Sequence, residues 1–441
     1  MPYAGDKVLL NRNDLLTLQV EGPINTDPGN AAQEDVVSFE TASMRDAKET
    51  AQAATVRGSR TRDRKLDTLW TCEGEVESVY RGGGVSGAAS ATAVPAPGTI
   101  GAEGLVNLLE AHFGQSATYA AGTTIAACTT TLLKLDVGDG ANYTPGDIVT
   151  WYDVADAAVV ARFVAAVTGD DVSIFPPLAA GQVPAAGVKT YSRRQYRYVD
   201  SFTQHPTLFG KFNKGFDGSD AMVCPFGGIV ANELTLESPL ADLVKLRFGL
   251  QGLRAATDPA FGAVAGGLVH PRNPNKPLVG LGQTFAFYCK EGGEIYALRP
   301  VNLSLTSSFA AHRTPTLQDQ NTSGTHRLGM RDVTASLEVL WDDELIPQNF
   351  RAGDRIAFLH VAGRRSEYYH ANWSPLAFNA VVFGMPACSI DNVEESENED
   401  EKKLTLSLVG EAGDYGVAQA NAEWGWDDEL SFCELGSANT A

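Results

Sequence analysis

The chain has 441 residues, with 34 Lys and Arg against 54 Asp and Glu and a formal net charge of −20. This balance excludes a surface that grips nucleic acid, because phosphate binding requires clustered Lys and Arg. No segment approaches the run of about 18 apolar residues that a membrane helix needs, and the N-terminus lacks the pattern of a secretory signal. We expect a protein made and used in a cytoplasm, or in a particle assembled there. Its acidity either keeps it soluble or lets a polyanion slide past without binding.

The N-terminal residues are the first segment in chain order. Residues 1–50 contain few apolar side chains and the turn-rich sequence TDPGNAAQED, which predicts an arm that packs on another part of the assembly. Residues 51–115 and 191–441 are predicted to form the core. We divide this core into two related β halves, at about 51–260 (less an insertion) and 261–441.

A strand and a helix follow the arm. Residues 66–80 alternate, which puts Glu73, Glu75 and Glu77 on one face of a strand and a less polar set on the other. Residues 105–113 carry apolar side chains at helical spacing, and Gly114 ends the helix. His112 lies on that apolar stripe, where a histidine with satisfied hydrogen bonds is a simpler interpretation than a metal ligand.

Residues 116–190 differ from the rest of the chain in their pattern, which predicts short strands separated by turn sequences such as DGANYTPG. Their tight spacing predicts a small antiparallel β domain, a barrel or sandwich, inserted into the core.

The second half of the chain is rich in alternating strands. One of them carries Glu233 and Glu237 on a single face, opposite leucines. Such alternation is typical of antiparallel sheets with one dry and one wet face, so the fold class is mainly β. A polar stretch between residues 310 and 332 is predicted to be a long loop that contacts a neighbouring subunit.

Two oppositely charged segments are candidates for contacts between subunits. A basic cluster, RGSRTRDRK, contains Arg57, Arg60, Arg62 and Arg64, whereas DNVEESENEDEKK is a predicted acidic loop. The acidic residues of interest are Glu394, Glu395, Glu397, Glu399 and Asp400. The basic cluster either makes ion pairs within its own subunit or receives the acidic loop of an adjacent copy, and the acidic loop alone would also suit a solvated turn.

Sites for chemistry are not evident in the sequence. It has no GxxxxGK(S/T), HExxH or GxSxG motif, so we predict no enzyme activity, no cofactor and no metal. The six cysteines form no CxxC pair and are predicted to be free thiols, with Cys433 the most exposed. A β-sandwich glycosidase with paired carboxylates remains an alternative, for which Asp343 and Glu344 are the residues to test.

The order of these segments resembles the two-domain tail tube proteins of long-tailed bacteriophages. The likeness covers most of residues 50–412, and its stretches include TVRGSRTRDR, GLVNLLEAHFG, TPGDIVTW, ARFVAAVTGDDVSIFPPL and GGIVANELTLESPLADLVKLRFGLQG. The segment VNLSLTSSF, the long polar stretch and DVTASLEVLWDD resemble a repeat of that hairpin arrangement. The N-terminal arm and the C-terminal residues from Gly413 onward are not covered by it.

The resemblance implies a tail-tube-like antiparallel β-sandwich or barrel core with a flanking helix. Six copies would form a ring, and stacked rings would form the tail tube of a virion. Partners would be a tail terminator, baseplate or distal tail proteins, a tape measure protein in the lumen, and DNA that passes without specific binding. Glu73, Glu75, Glu77, Glu233 and Glu237 would face the lumen, although an outer solvated face explains them equally well. The inserted domain would lie outside the tube, which favours a non-contractile tail. Another virion role, such as a tail terminator or a capsid decoration protein, is the nearest alternative.

Overall fold

The computed structural model describes residues 14–32, 35–51, 66–80, 104–119, 123–153, 158–191, 193–199, 205–217, 220–254, 259–263, 268, 278, 284–290, 295–313, 326–340, 345–353, 355–365, 378–397, 402–411 and 429–435. These residues form antiparallel sheets with two short α-helices, which confirms the predicted mainly β class with a flanking helix. The helices are α1 (Leu105–Phe113) and α2 (Leu345–Ala352).

The strands fall into three groups along the chain. Those of the first half, outside the insertion, are β1 (Leu15–Val20), β2 (Val36–Val37), β3 (Thr41–Ala51), β4 (Leu66–Val79), β12 (Leu208–Asp217), β13 (Asp220–Pro239), β14 (Lys245–Arg254) and β15 (Ala260–Ala263). Those between α1 and β12 are β5 (Gly114–Tyr119), β6 (Ile125–Cys128), β7 (Leu132–Leu135), β8 (Ile148–Asp153), β9 (Ala158–Thr168), β10 (Asp171–Phe175) and β11 (Arg193–Tyr198). Those of the second half are β16 (Thr284–Lys290), β17 (Ile295–Leu298), β18 (Pro300–Arg313), β19 (His326–Leu340), β20 (Ile356–Arg365), β21 (Phe378–Glu397), β22 (Lys402–Gly410) and β23 (Ser431–Leu435).

The two halves repeat one folding unit. In the first unit the pairings are β2–β1–β12–β13, β3–β4–β14–β13 and β13–β15. In the second unit they are β17–β16–β20–β21, β18–β19–β22–β21 and β21–β23. Each strand of one unit therefore has a counterpart in the other, in the same chain order, and each helix follows the corresponding hairpin.

The irregularities of the ladders repeat as well. Six of the register shifts form three pairs: Lys48/Thr50 with Phe309/Ala311, Leu208/Gly210 with Ile356/Phe358, and Ala231/Glu233 with Ile390/Asn392. Each of these three pairs falls between corresponding strands of the two units. The shifts at Lys214/Asp217, Gly227/Val230 and Pro300/Asn302 occur in one unit only. A β-bulge shifts the register at one defined position, so matching bulges align the two units residue by residue.

The N-terminal segment is part of the first unit. The predicted arm, residues 1–50, contributes β1, β2 and most of β3, and Leu15, Leu16, Val37 and Met44 are buried. The sparse apolar residues of this segment are therefore core positions of short strands. The hairpin of β18 and β19 likewise extends into the stretch predicted to be a long loop, to Arg313 on one side and from His326 on the other.

The two units share one sheet because the second part of β13 pairs with β18. The resulting order, β3–β4–β14–β13–β18–β19–β22–β21, is here called the joined sheet. One face of this sheet is dry, and leucines such as Leu234, Leu236, Leu305 and Leu337 enter a core shared by both units. Fully burying a leucine side chain contributes about 1.5–3 kcal/mol, so this shared core holds the two units together.

The insertion lies between α1 and β12, whereas only a few residues connect α2 to β20. Strands β5 and β11 pair with each other, and β11 also pairs with β23. Strands β6–β7–β10–β9–β8 form a separate five-stranded sheet with its own apolar core around Trp151. Phe163 of this sheet packs with Leu359 and Val382 of the second unit. The inserted module is thus fixed to β20 and β21.

A buried carboxyl group fastens β23 to its neighbours. Glu434 accepts hydrogen bonds from the hydroxyl of Tyr196 at 2.7 Å and from that of Tyr80 at 3.1 Å, and all three side chains are buried. Burial raises the pKa of Glu434, and burial next to this carboxyl raises the pKa of both tyrosines. The C-terminal strand is thereby tied to β11 and to the end of β4.

We predict that Glu434→Ala lowers the free energy of unfolding by about 2–4 kcal/mol. The buried hydroxyl of Tyr196 loses its acceptor and that of Tyr80 keeps only a contact of 3.4 Å to the carbonyl of Ala380, and an unsatisfied buried group costs about 1–3 kcal/mol. Urea denaturation followed by circular dichroism measures the change. The control is Glu73→Ala, which removes only an exposed ion pair and should cost no more than about 1 kcal/mol. Equal losses in the two variants would contradict the prediction.

Candidate functional site: the polar face of the joined sheet

The face of the joined sheet opposite the core is polar along all eight strands. We define the polar face by its charged residues. The acidic ones are Glu73, Glu75, Glu77, Glu233, Glu237, Asp332, Glu338 and Glu394, and the basic ones are Arg45, Lys245, Arg247 and Lys403. Period-two alternation produces this face, since each of these residues except Glu394 flanks at least one buried position. Acidic side chains outnumber basic ones among the described residues.

The five predicted glutamates come together here. Glu73, Glu75 and Glu77 lie on β4, Glu233 and Glu237 lie on β13, and β14 runs between these strands. Gly249 of β14 is the register partner of both Glu75 and Glu233. The prediction that each set shares one face of a strand is confirmed, and the two sets share one face of one sheet.

Three basic residues next to these glutamates were not anticipated from the sequence. Arg247 Nε lies 2.6 Å from Glu75 Oε1, and Lys245 Nζ lies 2.8 Å from Glu77 Oε1. Arg45 contacts Glu73 at 3.3 Å. Hydrogen bonds to Glu77 and then to the nearby Glu40 raise the pKa of Lys245, and the hydrogen bond to Glu75 raises that of Arg247. The acidity of β4 is therefore partly compensated, a fact that the alternation of one strand cannot reveal.

The middle of the polar face is rich in hydroxyl groups, and its charged residues are Asp332, Glu338 and Lys403, of which the last two form an ion pair at 3.1 Å. Strands β18, β19 and β22 present hydroxyl side chains, namely Ser304, Thr306, Ser308, Thr334, Ser336, Thr405 and Ser407. None of the described positions of this face carries an aromatic ring. Nucleic-acid strands bind to rows of cations and to aromatic rings on which bases stack. The described face presents mostly carboxylates and hydroxyls instead.

A buried Ser–His contact lies behind the polar face. His112 Nδ1 donates to the carbonyl of Ala231 at 2.9 Å, and its Nε2 accepts from the Ser307 hydroxyl at 2.9 Å. Ser307 also accepts from the hydroxyl of Tyr198. His112 and Ser307 are completely buried, and burial lowers the pKa of His112 to about 3. The prediction of a satisfied histidine is confirmed, and the ring connects α1 to β13 and to β18 across the junction of the two units.

The segments predicted to contact neighbouring subunits are only partly described. Arg57, Arg60, Arg62, Arg64, Glu399 and Asp400 lie outside the described residues, as do Asp343 and Glu344 of the glycosidase alternative. The predicted acidic loop is mostly strand, because β21 continues to Glu397 and β22 begins at Lys402. Glu394 and Glu395 are exposed on β21.

The cysteines are free thiols at the five positions whose side chains are described. The prediction that Cys433 is the most exposed is wrong. Cys433 is fully buried in β23, between β11 and β21. The prediction relied on the polar character of the C-terminal segment as a whole, whereas both strands that pair with β23 lie far away in sequence.

Comparisons with known proteins identify no relatives: no protein-family model matches the chain, and no curated protein is significantly similar to it. In the described residues, no three His, Cys, Asp or Glu side chains are arranged to hold a metal ion. No helix of the described part is long and apolar enough to cross a membrane. The geometry of the joined sheet is therefore the basis for a functional proposal.

The buried histidines generate a prediction about pH. His360 is fully buried against Phe383, and burial lowers its pKa to about 3, as for His112. In the unfolded chain an imidazole has an ordinary pKa of about 6.5, so between these two values the unfolded state binds more protons. The free energy of unfolding therefore falls as the pH drops from 7 towards 3.

For the variant His360→Leu, we expect the loss of unfolding free energy between pH 7 and pH 5 to be about 2 kcal/mol smaller than in the wild type, because one buried neutral imidazole has been removed. Urea denaturation at the two pH values measures this difference. An unchanged pH dependence would show that His360 is protonated alike in the folded and unfolded states.

Proposed function

We propose that this protein is the structural subunit of a phage tail tube, which assembles with copies of itself into stacked rings. The observation that carries the proposal is the joined sheet, with its continuous polar face and its two outer strands. Within the described part of the chain, β3 and the second part of β21 each pair with a neighbour on one side only. The subunit would be assembled in the host cytoplasm and would function in the virion.

Unpaired strand edges are a physical reason for assembly. An outer strand presents a row of N–H and C=O groups that can pair with another chain. Here the two outer strands belong to opposite ends of the same sheet, so copies can join head to tail. Such heterologous contacts generate a ring when the rotation between copies closes. The polar face would then line the lumen of the ring.

The position of the inserted module supports this orientation. Its residues Phe163 and Tyr191 pack on Leu359, Val361 and Val382, which belong to β20 and to the first part of β21. The opposite side of these strands faces the shared core, since Phe358 and Phe383 are core residues. The module and the polar face therefore lie on opposite sides of the core, so a lumenal polar face would put the module outside the tube.

The chemistry of the polar face fits the passage of DNA. Carboxylates repel phosphates, and the face offers few cations on which phosphates could rest. A lumen of this kind lowers the affinity for a passing polyanion. The other proposed partners are a tape measure protein in the lumen, and a tail terminator and distal tail or baseplate proteins at the tube ends.

The repeated unit changes the expected number of copies in a ring. The resemblance to tail tube proteins implies a ring of six copies, and we take the repeated unit as the copy that is counted. Because this chain contains the unit twice, three chains supply six units. We therefore propose rings of three chains in place of six.

We predict that the purified protein forms rings or tubes whose ring mass equals three chains. Native mass spectrometry measures the mass, and negative-stain electron microscopy shows the shape. Rings that never stack would favour a tail terminator, and a strictly monomeric protein would contradict the proposal. A monomer that hydrolyses a glycoside would favour the β-sandwich glycosidase instead.

A second prediction concerns the lumen. Glu233→Lys combined with Glu237→Lys should leave assembly intact but make the tubes retain short duplex DNA, because cations replace two exposed carboxylates on each polar face. Co-sedimentation of DNA with the tubes at low salt measures retention. The matched control is Asp136→Lys with Asp139→Lys in the inserted module, which makes the same change of charge on the other side of the core. Equal retention in both variants would contradict a lumenal polar face.

A further inference from the structure

The outer strands of the joined sheet have partners that the internal repeat identifies. We propose that the second part of β21 pairs with β3 of the next copy, antiparallel and in the register of the internal β13–β18 junction, so that Glu394 lies opposite Arg45 of that copy. This inference rests on the proposed function, because it requires that copies assemble through their sheet edges.

The bulges fix the correspondence of the two long strands. In β13 the register shift separates Ala231 from Glu233, and in β21 the equivalent shift separates Ile390 from Asn392. Counting on from these shifts, Thr235 corresponds to Glu394. Both residues lie on the polar face, where Thr235 is the register partner of Arg247 and Glu394 that of Thr405.

The same procedure aligns β3 with β18. In β3 the register shift follows Lys48, and in β18 it follows Phe309. Counting back three residues from each shift, Arg45 corresponds to Thr306. An independent check starts from the shifts of β13 and β21, after which Gly249 of β14 corresponds to Ser407 of β22. Across β4 and β19 these two residues lead to Ser43 and Ser304, each two residues before Arg45 and Thr306.

The internal junction provides the register to be transferred. There, Thr235 of β13 is directly opposite Thr306 of β18, and their hydroxyl groups lie 3.4 Å apart. Replacing each residue by its counterpart puts Glu394 opposite Arg45. A neutral pair inside the chain thus becomes a pair of opposite charges between chains.

The two charged side chains are placed for such a contact. The Arg45 side chain is 78% exposed and reaches Glu73 on its other side, and Glu394 is exposed on the outer strand. Directly opposite residues have side chains close enough to interact. The Arg45 guanidinium would therefore bridge two carboxylates on the polar face, one from its own chain and one from the next.

The dry side of the β21 edge differs from that of the internal junction. Glu395 occupies the position that corresponds to Leu236 and is exposed, and the transferred register puts it opposite Met44 of β3. A charged residue on the dry side of an edge strand resists unselective pairing. Selectivity for β3 therefore depends on the polar face, where Arg45 lies opposite Glu394.

Cysteine cross-linking tests the register directly. In the variant Arg45→Cys with Glu394→Cys, the new thiols are opposite each other between copies, with Cα atoms about 4.5–5.5 Å apart, within the range of a disulfide. Under mild oxidation we expect covalent multimers up to the full ring on a non-reducing gel. Some native thiols are partly exposed, so the wild-type protein, oxidised in the same way, gives the background of cross-linking.

The control pair is Arg45→Cys with Ser396→Cys, which keeps one thiol in place and moves the other by two residues, about 7 Å along the strand. We expect at least tenfold less cross-linking than for the first pair. Assembled rings in which the control pair links and the first pair does not would overturn the register while leaving the proposed function intact. Absence of assembly in the wild-type protein as well, with neither pair linking, would overturn both.

Charge exchange provides a second test. Arg45→Glu would put three carboxylates together at the junction and should raise the concentration needed for assembly about tenfold or more. Adding Glu394→Arg should restore assembly. Lys403→Glu makes the same change of charge on the polar face but on an internal strand, β22, and should have a smaller effect. Failure of Glu394→Arg to rescue Arg45→Glu would contradict the contact.

Discussion

The ladder between β13 and β18 is the contact on which the rest of the architecture depends. It joins two units that each contribute a hairpin, a long strand and its partner, and it makes one core out of two. Leu236 and Leu305 face each other across this ladder on the dry side, while His112 bonds to a residue of each strand. Without this ladder each unit would expose a strand edge and an open side of its core. The polar face would then end after four strands, so the continuity of the candidate lumen surface is a consequence of backbone pairing between the units.

The long strands β13 and β21 each take part in two layers of the fold. The first part of each belongs to an outer layer, and the second part belongs to the joined sheet. In β13 the pairing passes from β12 to β14 around the register shift between Gly227 and Val230. Gly228 adopts a positive φ of 56°, which glycine tolerates without strain, and a Cβ at Gly227 would collide with Asn25. In β21, a Cβ at Gly384 would collide with Phe163 of the inserted module. β13 and β21 therefore contribute to the joined sheet, and β21 also holds the inserted module on the other side of the core. This links the fold to the proposed tube with an external domain.

The sequence predicted the features that depend on the two-residue period of a strand, and it missed those that depend on which strands pair. Alternation placed Glu73, Glu75 and Glu77 on one face of β4 and predicted the wet and dry faces of the later strands, because the period of two is local information. It could not show that β14 brings Lys245 and Arg247 beside those glutamates, since the pairing of β4 with β14 spans a large separation in sequence. The same limit explains Cys433, whose polar surroundings in sequence concealed a strand buried between two distant strands. The acidic segment at residues 391–401 was predicted to be a loop because charge and turn residues dominate there, but pairing with β22 extends the strand to Glu397.

The distribution of charge over the polar face reconciles two opposing demands. A wall that lets a polyanion pass must be acidic, yet closely spaced carboxylates repel one another and destabilise the subunit that carries them. Cations on β3 and β14 reduce this repulsion beside the three glutamates of β4, and Lys403 on β22 pairs with Glu338 on β19 at 3.1 Å. Hydroxyl side chains occupy many of the other positions of β18, β19 and β22, between that region and Glu394 at the opposite end. The net negative charge is therefore spread over the whole polar face and is not concentrated in one group of glutamates. At the edge, Arg45 extends the same principle, because a cation that already balances Glu73 within its chain is available to balance a carboxylate of the next. Stability of the subunit and selectivity of its assembly would thus rely on the same few basic side chains.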